Sequence, residues 1–469
     1  MSNRSVTVGR VDGGFRRLMA TPGRAWIVIL VVFIAALSLR LVDIGGRSLW
    51  VDEGATAVIS QLDIDQLLAS EDADREHPPG YYTLIHLTST VSDSEAGLRL
   101  PSALASALAA VVTYLVGRRL GGHQVGLLSA AIIALSPLDL WYAQEARQPV
   151  FAGLAVIGAI WGLTRRGWVG ISVSAVAIFL GLYFDYITAV GWLAAGAIWM
   201  VMWFKSDRVR VVEWLGVTAA AGVAFAVVQG PEFVGGFRGL LGYDGAGVWY
   251  GVVLGSNPVT SNAFGLLLLA GIATAVLFAV GNRLTGSVKS GTAWTTLIVA
   301  GFAIGSALSP IPRAYSVKKV IVVGWPVLAL VIGFLILHRL RPQWRRTAVA
   351  GVLALSLMAS TVSFFIPKDD WRAATAHINR LAMSRDMVWV GPEPWAADAY
   401  LYYGGSLPVS LEAEPSAADL PANGEVWLIT YRRPQDVAPS LAVEEWFDQN
   451  WLLVEEVPFY RLAIRRYAR

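Results

Sequence analysis

Residues 25–41 read AWIVILVVFIAALSLRL, and residues 45–54, which follow after a short break, read GGRSLWVDEG. The first stretch is apolar over nearly the length of about 20 residues that a helix needs to cross a bilayer. Asp52 and Glu53 therefore follow a membrane-spanning helix and are expected at the membrane surface. Acidic side chains at that depth are costly to hold and are more often functional than decorative.

The whole chain has the composition of a polytopic membrane protein. Of its 469 residues, 55% are hydrophobic and only 15% are charged, which is more apolar than a soluble chain of this length requires. The 19 Trp and 15 Tyr suit interfacial aromatic belts. The chain has no cysteine, which excludes disulfides and thiolate chemistry. The net charge of +3 is better explained by basic loops on one side of a membrane than by nucleic-acid binding.

Eleven apolar segments are candidate membrane spans. The first follows several arginines and precedes no small-residue cleavage site, so we expect it to be an uncleaved signal anchor. The segments fall at about 25–42, 102–116, 124–141, 149–163, 168–184, 186–204, 213–229, 263–280, 293–308, 318–338 and 348–366.

The charges of the connections predict the orientation of these spans. If the N-terminus is cytoplasmic, the cytoplasmic connections should be basic. The opposite connections instead carry acids, beginning with Asp52 and Glu53. The five cytoplasmic connections hold Arg118 and Arg119, Arg165 and Arg166, Lys205 to Arg210, Arg283 and Lys289, and Arg339 to Arg346.

Two expected extracytoplasmic regions are large. The first is a loop at about 43–100, and the second is the tail 367–469, which is much richer in charge than the spans. In the tail, short strand patterns at 387–390 and 426–429 alternate with helical patterns, which predicts a small α/β domain. The sequence thus predicts a polytopic α-helical module over 1–366 and an extracytoplasmic α/β domain over 367–469.

Asp52 and Glu53 have two interpretations. A carboxylate at the mouth of a membrane cavity can act as a general base and accept a proton from an attacking hydroxyl. Alternatively, the two acids form a solvated loop pair that caps the helix expected to begin near Gly54, because acids near a helix N-terminus are stabilising.

The segment EHPPGYY at 76–82 places an acid and a histidine before a helix that its prolines help to start. Glu76 and His77 could bind a metal ion or a phosphate there. A metal site normally needs more ligands than these two, however. The alternative is a helix start with Tyr81 and Tyr82 as interfacial anchors.

Two further segments carry cations on the predicted extracytoplasmic side. In SPLDLWYAQEARQ at 136–148, Arg147 could hold a lipid phosphate or form a local ion pair with Glu145. In the segment 310–319, Arg313 and Lys318 could neutralise an anionic lipid headgroup, or could snorkel to the interface as cations at helix ends commonly do. No phosphate-binding loop or dinucleotide fingerprint is found, so a soluble nucleotide donor is not indicated.

Together these segments resemble the GT-C glycosyltransferases, in particular the bacterial branch near the protein O-mannosyltransferases and the aminoarabinose transferase of lipid A. The resemblance rests on ordered pieces that span about the first third of the chain, with two later ones. They are RSLWVDE at 47–53, EHPPGYY at 76–82, RLPS at 99–102, YAQEAR at 142–147, PRAY at 312–315 and DWR at 370–372.

The resemblance implies that a sugar is carried on a polyprenyl phosphate and passes, with inversion, to an acceptor hydroxyl. Asp52 would be the base and Glu53 its neighbouring second acid. His77 stands where some members have a lysine, so its charge depends on pH. Some relatives bind a divalent cation near the residue that matches Glu76; no other cofactor is expected. The remaining expected substrate contacts are Tyr81, Glu145, Arg147, Arg313 and Lys318.

The resemblance leaves the sugar and the acceptor open: a protein, a lipid A-like lipid, a lipoglycan or a cell-wall polysaccharide would each fit a role in the cell envelope. Two other functions also stay open, a flippase for lipid-linked sugars and a non-catalytic scaffold of envelope assembly. A transporter is expected to carry charges deep within its spans. The charges here cluster near one membrane surface, which favours the enzyme.

Overall fold

A computed structural model describes most of the chain on either side of a central gap. The expected spans at 263–280 and 293–308 lie outside the described residues. Those residues are 22–69, 77–165, 167–203, 207–240, 315–391, 396–410, 420–421, 424–432 and 437–469.

Before residue 365 every described secondary-structure element is a helix. A π-helical turn, Leu335–Arg339, follows the twelfth helix. The helices are α1 Pro22–Leu41, α2 Val51–Ile59, α3 Ile64–Ala69, α4 Gly80–Ser89, α5 Glu95–Gly121, α6 His123–Ala134, α7 Pro137–Ala143, α8 Pro149–Leu163, α9 Gly167–Phe184, α10 Ile187–Trp203, α11 Arg208–Leu240, α12 Tyr315–Phe334 and α13 Pro342–Phe364.

Within the described residues, five helices are long and apolar enough to cross a membrane. They belong to α5, α9, α11, α12 with its π turn, and α13; a sixth span results if the pair α6 and α7, bent by 59°, is one broken span. The apolar helices Ala25–Leu41, Pro149–Leu163 and Ile187–Met200 are shorter than this test requires. The prediction of a multi-pass helical protein therefore holds, and the count of about eleven spans stays a prediction.

Close backbone approach holds the centre of the bundle together. A Cβ added to Gly126 of α6 would lie 2.5 Å from the carbonyl oxygen of Tyr114 on α5. A Cβ on Gly162 of α8 would lie 2.8 Å from the carbonyl oxygen of Gly170 on α9. Small residues at such crossings let helices pack in a lipid environment, where the hydrophobic effect no longer drives their association.

A buried polar cluster joins the first helix to this centre. Arg40 of α1 donates to Asp139 of α7 at 2.5 Å and to the hydroxyl of Ser106 on α5 at 2.5 Å, and that hydroxyl also contacts Asp139. Arg40 is fully buried and Asp139 nearly so. A charge at this depth needs such a partner, so the cluster fixes α1 against α5 and α7.

Two contacts join connections that the sequence predicts to be cytoplasmic. His338, after α12, contacts the carbonyl of Gly121 at the end of α5, with 3.0 Å between the nitrogen and the oxygen. Arg210 of α11 donates to the carbonyl of Leu163 at the end of α8 at 3.4 Å. Each contact joins two connections that the sequence predicts to be cytoplasmic, and the orientation of the chain stays a prediction.

After α13 the chain forms a five-stranded sheet with helices packed on it. The helices are α14 Trp371–Leu381, α15 Ala397–Tyr402 and α16 Val437–Asn450, and the strands are β1 Met387–Gly391, β2 Val409–Ser410, β3 Val426–Tyr431, β4 Leu452–Phe459 and β5 Leu462–Ala468.

The strand order is β2-β1-β3-β5-β4. β1 runs parallel to β2 and β3, with Met387 opposite Val426, whereas β5 is antiparallel to β3 and β4. Every residue of β3 is buried, as expected for a central strand that is covered on both faces. The strands expected at 387–390 and 426–429 coincide with β1 and β3.

The sheet region packs directly on the first loop. A Cβ added to Gly54 of α2 would lie 2.6 Å from the Cα of Ala399 on α15. The Tyr403 hydroxyl accepts a hydrogen bond from the backbone N–H of Leu49 at 2.6 Å. Arg372 of α14 pairs with Glu95, the first residue of α5, at 2.6 Å. The expected loop and tail thus meet at one end of the bundle.

Replacing Gly54 by Ala should weaken this contact, because its methyl group would overlap the backbone of Ala399. Overpacking of this kind typically costs about 1–3 kcal/mol. Gly351→Ala on α13 is the matched control, because a Cβ there meets no atom within 4 Å. Thermal unfolding of the purified protein should show a midpoint below that of the wild type for Gly54→Ala. The midpoint of the control should not be lowered. Equal midpoints for the two variants would contradict the tight contact between α2 and α15.

Candidate active site between the first loop and the tail

Asp52 and Glu53 lie in the first turn of α2, which begins at Val51 after the extended Trp50. The side chain of Glu53 turns back toward the backbone N–H of Trp50, with 3.4 Å between nitrogen and Oε2. This is the capping interaction of an acid at the third helical position, and it satisfies an N–H that the helix leaves without a partner. Of the two acids, Glu53 is therefore the one that caps the helix.

Glu53 is fully buried, and both of its oxygens are engaged. Arg99 of α5 donates to Oε1 at 2.7 Å and to Oε2 at 2.8 Å, a two-pronged pairing. Lys368 reaches Oε2 at 2.9 Å, and the backbone N–H of Ala146 donates to Oε1 at 2.8 Å. Three separate parts of the chain therefore converge on one carboxylate.

The electrostatics keep Glu53 ionised. Burial acts to raise its pKa, but the charges of Arg99 and Lys368, the hydrogen bond from Arg99 and that from Ala146 outweigh burial and hold the pKa far below its ordinary value. A carboxylate in this state holds its partners firmly and is a poor proton acceptor.

Asp52 is in a different environment, one residue away. Its side chain is 16% exposed, and Arg147 lies 3.4 Å from Oδ2. The same guanidinium contacts the carbonyl of Asp52 at 3.4 Å and Nε2 of His77 at 3.3 Å. The structure thus brings together an accessible carboxylate, an arginine and a histidine that the sequence singled out separately.

Glu145 lies on the turn between α7 and α8, and its side chain is buried against Lys368. The Lys368 ammonium is 3.5 Å from Oε1 of Glu145, whereas Oε2 has no hydrogen-bond partner among the described residues. Burial raises the pKa of Glu145, and the nearby charges of Glu53 and Asp52 add to the effect while Lys368 opposes it. The expected alternative, an ion pair between Glu145 and Arg147, is replaced by the pairs Glu145–Lys368 and Asp52–Arg147.

Tyr81 is fully buried rather than exposed at an interface. Its hydroxyl lies 3.4 Å from that of Ser102, which in turn donates to the carbonyl of Arg147 at 3.1 Å. Burial raises the pKa of Tyr81 above the ordinary tyrosine value. Tyr81 therefore supports the backbone of Arg147 through Ser102.

Three of the expected site residues are not described in full. Glu76 and Arg313 lie outside the described residues, and Lys318 lies in α12 with its side chain outside them. The part of the chain that the structure describes holds no group of three or more acidic or histidine side chains that could hold a metal ion. The metal role of Glu76 and the phosphate roles of Arg313 and Lys318 stay predictions.

The sequence did not reveal several residues that build the site. Lys368 sits at the expected boundary of the tail, and Arg99 belongs to a quoted motif without an assigned role. Gln144 accepts a hydrogen bond from Arg47 and donates to the carbonyls of Arg40 and Val42 at 3.0 and 2.7 Å. A search for cations able to neutralise a buried Glu53 would have pointed to Arg99, because both lie at the same predicted membrane surface.

Solved structures similar to this chain include two of ArnT from Cupriavidus metallidurans. The apo form is 16% identical, covers 95% of this chain and 98% of its own, and has a TM-score of 0.48. The form bound to undecaprenyl phosphate is 15% identical, covers 94% and 98%, and has a TM-score of 0.47. The Pmt1-Pmt2 protein O-mannosyltransferase complex of S. cerevisiae, bound to the sugar donor, is 17% identical and covers 50% of this chain and 37% of its own, with a TM-score of 0.37.

These neighbours are GT-C glycosyltransferases. They include the aminoarabinose transferase and the protein O-mannosyltransferase that the motifs indicated, so the expected resemblance is confirmed. At these identities and TM-scores the likeness describes what the chain is similar to. No protein-family model and no curated protein matches the sequence.

The contrast between Asp52 and Glu53 predicts different effects on stability. Glu53→Gln leaves Arg99 buried without its countercharge and Lys368 with Glu145 alone, and breaking a buried pair in this way costs about 3–5 kcal/mol. Asp52→Asn removes a longer contact at a partly exposed side chain and should change stability far less. Thermal unfolding of both variants in detergent checks this. The assignment of Glu53 as the buried anchor fails if the two midpoints fall equally.

Proposed function

We propose that this chain is an integral membrane glycosyltransferase. It takes a sugar from a polyprenyl-phosphate-linked donor and transfers it to an acceptor hydroxyl on the extracytoplasmic face. The acceptor oxygen attacks the anomeric carbon as the bond from that carbon to the phosphate oxygen breaks. The electron pair leaves with the lipid phosphate, the hydroxyl proton passes to Asp52, and the configuration inverts.

The environment of Asp52 is the observation that carries this proposal. Of the two neighbouring acids, Asp52 is the one with an exposed edge, and its contact with Arg147 is longer than those that surround Glu53. A general base must reach the proton that it accepts, so accessibility favours Asp52. Glu53 is better suited to hold the first turn of α2 in place than to transfer a proton.

The cations beside Asp52 suit a departing phosphate. Arg147 is almost buried, and its planar guanidinium can donate two parallel hydrogen bonds to phosphate oxygens. His77 lies beside it and can donate a further hydrogen bond. Charge that develops on the leaving phosphate is stabilised most where such donors are fixed before the reaction. Arg313 and Lys318 are proposed to extend this cationic region toward the lipid.

The expected orientation suits the same activity. The site lies beside the first turns of α5, whereas the far end of α5, at Gly121, contacts His338 in a connection that is expected to be cytoplasmic. With basic connections in the cytoplasm, the site faces the extracytoplasmic side. We therefore propose that residues 367–469 form an extracytoplasmic α/β domain that roofs the site.

Asp52→Asn should lower the transfer rate by about 10²–10⁴-fold, because the amide cannot accept the acceptor proton and a general base contributes that much. The assay uses wild type and variant in vesicles that hold a panel of polyprenyl-phosphate sugars, with mass spectrometry of the products. Asp65→Asn, at an exposed acid in the same loop, is the control and should transfer at the wild-type rate.

Two outcomes would contradict the proposal. If Asp52→Asn retains wild-type transfer, Asp52 is not the base. If the wild type moves a labelled donor across the bilayer but never transfers its sugar, the protein is a flippase and not a transferase.

His77→Ala should weaken the binding of undecaprenyl phosphate by about tenfold or more, since hydrogen bonds to charged groups contribute about 1.5–3 kcal/mol. Titration of the purified protein with the lipid phosphate, followed by tryptophan fluorescence, measures this. His86→Ala is the control, because His86 contacts the carbonyl of Ser60 and not Arg147. Its ring nitrogen lies 3.0 Å from that carbonyl oxygen. Equal affinity in the wild type and His77→Ala would remove His77 from the phosphate site.

A further inference from the structure

Lys368 connects the two halves of the site from a distant part of the chain. It lies between the end of α13 at Phe364 and the start of α14 at Trp371, and its side chain is 2% exposed. Its ammonium is 2.9 Å from Oε2 of Glu53, 3.5 Å from Oε1 of Glu145 and 3.2 Å from the carbonyl oxygen of Gln144. It therefore touches both α2 and the turn between α7 and α8.

These two elements carry the groups proposed to act on substrate. Asp52 precedes Glu53 on α2, and Arg147 follows Glu145 by two residues on the turn. The contact of 3.4 Å between Asp52 and Arg147 thus spans the two elements that Lys368 joins. If the ammonium is withdrawn, two buried acids face each other across this junction.

Resting on the function proposed above, we infer that Lys368 is a positioning residue, whose positive charge holds Glu53 and Glu145 together and thereby sets Asp52 against Arg147. Around Lys368 the buried acids Glu53 and Glu145 face the cations Arg99 and Lys368, with Arg47 nearby. Without Lys368, Glu53 and Glu145 lose the ammonium that lies between them. Arg99 cannot take over the role of Lys368, because the other N–H groups of Arg99 already donate to the carbonyls of Ile44, Arg47 and Ser48.

The charge on Lys368 is lost at a lower pH than that of an ordinary lysine. Burial lowers its pKa from 10.5 to about 8; Glu53 and Glu145 oppose this effect, and Arg99 and Arg47 add to it. Trp141, the aromatic ring over which the ammonium lies at 5.7 Å, does not titrate. Transfer should therefore decline as the pH rises through about 8.

This alkaline decline should not reflect unfolding. Because the pKa of Lys368 is lower in the folded protein than in the unfolded chain, the unfolded chain binds more protons between about pH 8 and 10.5. The contribution of this group to stability accordingly rises across that window and does not fall. A loss of activity without a loss of stability distinguishes a positioning role from a general structural role.

The test measures initial transfer rates from pH 6 to 10 for the wild type, Lys368→Arg and Lys368→Met. Lys368→Arg should move the alkaline decline upward by more than one pH unit, because a guanidinium stays charged throughout this range. Lys368→Met should lower kcat at least tenfold and show no decline near pH 8. Arg380→Met, at an exposed cation on α14, is the matched control and should keep the wild-type profile.

The double variant Glu145→Gln with Lys368→Met tests whether Lys368→Met loses activity merely because it fails to fold. Because the lowered pKa of Lys368 means that losing this charge does not destabilise the fold, Lys368→Met and the double variant should both unfold at pH 7 no lower than the wild type. The inference is overturned if Lys368→Arg keeps its decline near pH 8, or if Lys368→Met keeps the wild-type kcat.

Failure of the proposed function would look different. If the wild type transfers no sugar from any donor, the glycosyltransferase proposal fails. The unfolding midpoints of Lys368→Met and the double variant still decide, in that case, whether the ammonium of Lys368 has a general structural role. A midpoint for Lys368→Met well below that of the wild type would show a general structural role for the ammonium and reject the positioning role whatever the activity.

Discussion

The burial of Glu53 is the constraint on which the rest of the site depends. An ionised carboxylate with no exposed surface is tolerated only where cations and hydrogen-bond donors surround it. The chain supplies them from α5 through Arg99, from the segment after α13 through Lys368, and from the turn before α8 through the N–H of Ala146. Satisfying one side chain thus fixes the relative positions of the first loop, the bundle and the tail.

That arrangement separates two acids that are identical in charge and adjacent in sequence. Glu53 faces inward and is held by ion pairs, so Asp52, one residue earlier on α2, is turned toward the partly exposed side with Arg147. A rigid neighbour of this kind suits a proposed general base, because productive geometry tolerates little displacement. The close contact of Gly54 with Ala399 adds a second constraint on the same helix from the tail.

The sequence predicts the features that depend on local pattern and on charge. Apolar runs predict membrane helices, short strand patterns predict β1 and β3, and the acids after the first apolar run locate Asp52 and Glu53. It did not separate the roles of the pair, because burial depends on how α2 meets α5. Nor did it find Lys368, which is 315 residues from Glu53 in the chain and resembles an ordinary lysine at a helix end. Such long-range pairing leaves no periodic signal.

The distance between Lys368 and Glu53 along the chain also orders events during synthesis. At about 5–20 residues per second, the ribosome needs about 15–60 s to make the 315 residues that separate them. During that time Arg99 is the only one of the two cations that can have been made. Glu53 is then without its ion pair to Lys368. The ion pairs around Glu53 are complete only when the segment after α13 arrives. A nascent chain therefore cannot acquire a complete site before its final membrane helix is in place.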